Sequence, residues 1–203
     1  MTNKSGNVYI IHDYQSTSND HWYPWLSRQV KKLGIDAKRI MLANPLEPKM
    51  QDWQQSLAVQ IPKMDADTIL VAHGLSCLSV LKFVEQHYLT HRKAIRGVVM
   101  VAGFDQPLVM WSELNDLVRS VKLDFKTLSK SYKYGVMYIS NNDPHVPTAM
   151  SLSLAHRLLN TQIFEVLQAG HFEKTDGYAD FPQLLEVIQR LYGLNELQNA
   201  AGL

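Results

Sequence analysis

Apolar positions along the chain fall into two alternating rhythms. A short apolar run at 8–12 predicts a strand buried on both faces, and further strands are predicted at 37–42, 68–72, 95–104, 136–140 and 163–167. Segments with helical spacing lie between them, at 22–33, 50–61, 76–89, 148–159 and 181–192. In the second of these, Trp53, Leu57 and Ile61 share one face at i, i+4, i+8. In the last, Leu184, Leu185, Ile188 and Leu191 do so. Pro24 near the start of the first helix and Gly34 just past its end are suitable punctuation. Strands alternating with helices predict a doubly wound, mostly parallel α/β sheet of about six strands, with right-handed crossovers and helices on both faces. The rhythm breaks once, at 105–135, where no strand is evident. That stretch is expected to form a small cap-like excursion over the carboxyl ends of the strands. Residues 195–203 are expected to fray.

Composition narrows the function classes. A chain of 203 residues, 46% apolar and 19% charged, has the length and balance of one globular domain spanning 1–203. A net charge of +1 gives no electrostatic basis for binding nucleic acid or an anionic membrane. Lys126, Lys130 and Lys133 read as a solvated face. The single cysteine, Cys77, excludes an intramolecular disulfide and suits a reducing compartment. The polar start and the lack of any apolar run near the ~18 residues of a membrane span point to a cytoplasmic protein.

In open α/β sheets ligands bind beyond the carboxyl ends of the strands, so the residues just after each strand are the candidates for chemistry. They are His12-Asp13, His73-Gly74, Asn141-Asn142-Asp143-Pro144 and Gly170-His171-Phe172. The last two supply a carboxylate and an imidazole in the chain order of a hydrolase triad, in which the acid orients the ring and the ring takes a proton from a serine. Four separated segments carry a resemblance. These are Val8-Tyr9-Ile10-Ile11-His12 with the 21–26 stretch, Leu70-Val71-Ala72-His73-Gly74-Leu75-Ser76-Cys77, Ser140-Asn141-Asn142-Asp143-Pro144-His145-Val146-Pro147, and Ala169-Gly170-His171-Phe172. Together they resemble the retinoblastoma-binding protein 9 / YdeN-like serine hydrolases over almost the whole chain. The resemblance implies an α/β-hydrolase fold, action on ester or peptide-like bonds, no cofactor, no metal, and Asp143 and His171 as triad members. It also places Leu75 and the residue after His12 in the oxyanion region.

The departures lie at the chemistry. Where the family's G-H-S-L-G elbow has its first glycine, its nucleophilic serine and its second glycine, this chain has Ala72, Gly74 and Ser76. Asp13 stands where the family has the glycine of a His-Gly turn. Glycine relieves the strained turn and removes the attacking oxygen. Asp13 either repels a developing oxyanion or turns away to cap a turn or meet solvent. Ser76 is the alternative nucleophile, although helical geometry puts it about 200° round from position 74. Cys77 reads as a buried structural thiol. His12 and Trp111 are the candidate pocket residues, and Trp22 and Trp25 are core or pocket wall. Convergence of His12, Asp13, His73 and His171 on a zinc ion is disfavoured, because no pair has the usual local ligand spacing. Three readings follow: a pseudoenzyme acting through the retained pocket on a small acyl or ester ligand or a protein partner; a hydrolase using Ser76 or unusual chemistry; and a working esterase in which Gly74 is a variant substitution, where serine at 74 restores activity.

Overall fold

The computed structural model describes residues 6–194. Six strands, β1 (Asn7–Ile11), β2 (Asp36–Ile40), β3 (Thr68–His73), β4 (Ile95–Val101), β5 (Tyr132–Ser140) and β6 (Thr161–Val166), form one sheet in the order β2-β1-β3-β4-β5-β6. Every neighbouring pair is parallel. Among the described residues seven α-helices accompany the strands: α1 (Tyr23–Lys32), α2 (Met50–Gln60), α3 (Ser76–His91), α4 (Asn115–Ser120), α5 (Phe125–Ser131), α6 (Thr148–Arg157) and α7 (Pro182–Leu191). None of the helices among the described residues is long and apolar enough to cross a membrane.

Alternation along the strands divides the core in two. Val8 and Ile10 of β1 face a layer built from Leu26 and Val30 of α1 and Leu184 and Ile188 of α7. Tyr9 and Ile11 face the opposite layer, built from Trp53 and Leu57 of α2, Leu78 and Leu81 of α3, and Leu154 of α6. Helix α3 is the most deeply seated: its first six residues, from Ser76 to Leu81, are all buried. That depth explains why small residues open this helix, since its first turn passes close against β1 and β4. Trp22 lies in the core just before α1, whereas Trp25 is half-exposed.

Two boundaries differ from the sequence reading. β4 stops at Val101, because Ala102 takes a left-handed φ of 50° and its N–H turns to the Tyr138 carbonyl at 2.9 Å. β5 starts at Tyr132 instead of Val136, its first turn showing Lys133 and Tyr134 to solvent. The excursion between them contains two short helices. Its second half is fastened to α3, with Lys82 Nζ donating to the Lys122 carbonyl (2.9 Å) and the Asp124 N–H to Glu85 Oε2 (3.0 Å). Only its first half, carrying Trp111 and Glu113, reaches over the strand ends. The chain turns left from β1 to β2 and then right to β3, so β1 and β3 flank the switch point, the usual crevice for a ligand in such sheets.

Candidate functional site

The loops leaving β1, β3, β5 and β6 meet at that switch point. The acid loop after β5 is a tight turn in which Asp143 Oδ1 accepts from the N–H groups of His145 (2.8 Å) and Val146 (2.9 Å). Its Oδ2 is left to accept from His171 Nδ1 at 2.7 Å. His171 is presented by a second turn. Gly170 adopts a φ of 55°, and a β-carbon there would overlap the Asp176 carboxylate, which caps the turn by accepting from the His171 N–H at 2.9 Å. The structure therefore brings together the acid and the imidazole that the sequence singled out.

Between β3 and α3 the chain turns at Gly74 with a φ of 54°. In a hydrolase of this architecture such a turn carries the nucleophile. Here the space that a side chain would enter is already filled. A β-carbon built on Gly74 falls on the Asp13 carboxylate, with Oδ2, Cγ and Oδ1 all well inside the 3.0 Å that real β-carbons respect. Asp13, 3% exposed, turns inward from the end of β1. Its Oδ1 accepts from the backbone N–H groups of Leu75 (2.7 Å) and Tyr14 (2.6 Å). Its Oδ2 accepts from His171 Nε2 at 3.0 Å. Of the alternatives for Asp13, only a turn to solvent is corrected: the side chain is buried and caps the turn, occupying the donor pair that an oxyanion would need. The emptied space at Gly74 makes this possible.

With a carboxylate on each ring nitrogen, His171 must carry both protons. Burial works against the cation, but the hydrogen bonds to Asp13 and Asp143 outweigh it and raise His171 to about 10. Burial likewise pushes the Asp13 carboxyl up, and the His171 hydrogen bond, the neighbouring imidazoles and the Tyr14 N–H together reverse this, leaving it below its ordinary value. The result is a buried carboxylate–imidazolium–carboxylate chain. Such an arrangement offsets its desolvation only when every remaining donor and acceptor is satisfied.

The neighbouring histidines are fixed and neutral. His73 Nε2 donates to the His171 carbonyl (2.8 Å), and its Nδ1 accepts from the Tyr23 hydroxyl (2.7 Å). Burial first, and then the charge on His171, lower His73 to about 3. The two rings stack with centroids 4.9 Å apart. His12 Nδ1 donates to the Asp13 carbonyl (2.8 Å) and its Nε2 accepts from the Leu42 N–H (3.0 Å), with burial chiefly lowering its pKa. His12 thus braces the β1 turn and does not line the cleft as a ligand contact. Asp13, His73 and His171 offer ligand atoms within 4.8 Å of one another. Yet every one of those nitrogens is engaged in a hydrogen bond within the protein, and a cation there would face an imidazolium. The donor set does not fit a metal.

Ser76 lies away from this chemistry. Its oxygen accepts from the His73 N–H (3.1 Å), and its hydroxyl points between the carbonyls of His73 (2.8 Å) and Ile11 (3.3 Å). That geometry corrects the displaced-nucleophile expectation, because the hydroxyl is a strut joining β1, β3 and α3. Cys77 Sγ, fully buried, points to the Val101 carbonyl at 3.7 Å, and burial pushes its thiol pKa well up.

A cleft of about 670 Å³ opens above the site, walled by Tyr14, Ser16, Trp25, Arg28, Trp111 and His145. Trp111 stacks on His145 (centroids 4.7 Å apart) and stands edge-on over His171 (5.4 Å). Tyr14 OH donates to Glu113 Oε1 at 3.2 Å, tying this roof to the loop that carries Asp13. Sequence reasoning identified Trp111 but missed Tyr14 and His145. Tyr14 acts through a backbone N–H, which leaves no mark in a sequence. His145 lay within the quoted acid loop and could have been paired with Trp111 as an aromatic partner.

Comparison with known proteins gives the family and the fold. A family model described as serine hydrolase matches residues 8–190. The Bacillus subtilis protein YdeN, described as a candidate hydrolase, is 32% identical over 181 residues, spanning 89% of this chain and 93% of that one. The crystal structure of the B. subtilis ydeN gene product superposes with a TM-score of 0.85 at 30% identity, covering 92% of this chain and 98% of that one. A YdeN-like hydrolase structure from Pectobacterium atrosepticum shares the fold, with a TM-score of 0.69 at 18% identity over 92% and 91% of the two chains.

Proposed function

We propose that this chain, which belongs to the serine hydrolase family, does not act through serine acyl transfer and instead binds a small ligand in the cleft beneath Trp111. One observation carries the reading. The Asp13 carboxylate lies both in the space of the missing nucleophile and against the N–H groups of Leu75 and Tyr14. Acyl transfer needs an oxygen at the first place and a vacancy at the second. Neither condition is met. Ser76 offers no substitute, since its hydroxyl is committed to backbone carbonyls.

The test is hydrolysis of short-chain p-nitrophenyl esters by the native chain, Gly74→Ser, Asp13→Gly/Gly74→Ser, and His171→Ala as background. The expected order is native and Gly74→Ser at background, with the double variant turning over. Serine at 74 alone stays silent because its β-carbon and the Asp13 carboxylate claim the same volume, so the turn cannot hold both in place for catalysis. Ester hydrolysis by the native chain that is lost in His171→Ala overturns the reading.

A further inference from the structure

The buried ion chain has an unused chemical property. When a serine hydrolase holds its acyl intermediate, the carbonyl oxygen sits between two backbone donors and the ester oxygen lies beside the histidine. In this chain Asp13 Oδ1 has the first set of contacts, at 2.7 and 2.6 Å, and Oδ2 the second, at 3.0 Å. Cγ joins the two, so it occupies the place of the acyl carbon. A carboxyl so placed needs only to be esterified at Oδ2 for the surrounding groups to hydrolyse it. We propose that Asp13 is a nucleophile toward strained cyclic ethers, and that the site converts a small epoxide entering from the Trp111 cleft into a vicinal diol through an Asp13 ester. The proposal rests on the reading that no serine attacks here.

The protons and electrons balance without any outside reagent. Oδ2 attacks an epoxide carbon, and the carbon–oxygen bond of the ring breaks with its electron pair left on oxygen. That alkoxide takes the Nε2 proton of His171. The imidazolium imposed by its two carboxylate partners is therefore the acid that ring opening requires. Esterification also removes the Asp13 charge, and His171 becomes neutral with Asp143 still on Nδ1. His171 then takes a proton from water, whose oxygen bonds to Cγ. The negative charge that forms on Oδ1 meets the N–H groups of Leu75 and Tyr14. Collapse breaks the bond between Cγ and Oδ2, and the departing alkoxide takes the proton from His171. The new carboxyl returns its own proton to His171, restoring the starting pair. The net reaction is epoxide plus water to diol.

Epoxides suit the surroundings on two further counts. The substrate is uncharged, so it meets no repulsion from the net negative chain of two carboxylates and one imidazolium. The cleft is edged by the rings of Tyr14, Trp25 and Trp111, against which an aryl or alkyl substituent can pack, while Asp20, Arg28 and Lys174 make the rest of its wall polar. The proposal routes the epoxide past Trp111, which stands edge-on to His171 and sits on an irregular segment between β4 and α4, outside regular helix or strand.

Isotope labelling of the native protein provides the test. Protein in excess over styrene oxide, and separately over 1,2-epoxyhexane, is incubated in 18O-water. The diol and the peptide containing Asp13 are then analysed by mass spectrometry. The expected result is diol formation about 100-fold or more above Asp13→Asn, with the first-turnover diol free of label and one 18O on the Asp13 carboxyl. Diol carrying the label with none on Asp13 means direct attack by water and overturns the proposal. No diol above the protein-free rate with either epoxide also overturns it. The labelling needs no variant, so a misfolded Asp13→Asn does not blunt it. Ester turnover by the native chain would instead refute the serine-free reading, so the two failures are distinct.

Discussion

Asp13 and Gly74 are coupled through a single shared volume, and a double-mutant cycle measures that coupling. Gly74→Ser places a β-carbon onto the Asp13 carboxylate. A side-chain tip can usually move aside at small cost, but this one is held by Leu75, Tyr14 and His171. Ejecting it leaves His171 without one partner, and breaking a buried pair in this way costs about 3–5 kcal/mol. Left-handed backbone under a β-carbon adds roughly 1–2 kcal/mol. Asp13→Gly alone loses the same pairing without the overlap. In the double variant the overlap is gone, and a serine oxygen can approach His171 in place of Oδ2. The pairing loss is then counted once, so the double variant should be about 3–5 kcal/mol more stable than the sum of the two singles predicts, at or above the top of the range for residues in contact. Urea denaturation of the four proteins, with slopes compared to confirm a common unfolded state, gives the number directly. Additivity within about 0.5 kcal/mol would show that Asp13 does not occupy the Gly74 space.

Four further outcomes follow from the same geometry. Nitrogen-15 NMR at neutral pH should show protons on both ring nitrogens of His171, and Asp13→Asn should abolish one of them. His171 is raised to about 10 from an unfolded value of 6.5, so its contribution to stability is full below about 6.5 and fades as pH climbs through 10. Asp13 is lowered from 3.8, so its contribution is present above that value and fades as pH falls through its lower folded pKa. Melting temperature should therefore decline on the alkaline side, and the decline should flatten in Asp13→Asn. Ser76→Ala should cost about 1–2 kcal/mol by stranding the carbonyls and N–H it serves, while leaving the His171 ring signals unmoved. Cys77 should resist Ellman's reagent in the folded protein and react at once in denaturant, since it is fully buried with a raised thiol pKa.

Local chemistry made most of the fold legible. Strands buried on both faces read as unbroken apolar runs, and β1, β3 and the centre of β4 were found that way. The first turn of β5 escaped because Lys133 and Tyr134 are solvent-facing and break the run. β4 was read too long because Ala102 and Phe104 are apolar, whereas what ends the strand is a left-handed backbone at Ala102. At the site, Asp143 and His171 were legible as an acid loop and a Gly-His turn, each with a local signature. The inward placement of Asp13 was not. It depends on an absence 61 positions away, at Gly74, and no window on the sequence holds both residues. Tyr14 and Leu75 contribute main-chain donors that any residue type would supply.

The overlap at Gly74 also sets an order on inheritance. A lineage carrying both residues has two single steps toward a serine at the β3–α3 turn, and they are not equivalent. Serine first meets an occupied interior, which selection would purge before any benefit appeared. Asp13 must be exchanged first, through an ancestor holding neither oxygen. The site is thus protected from casual reversion by its own packing, and the history of position 74 is written at position 13.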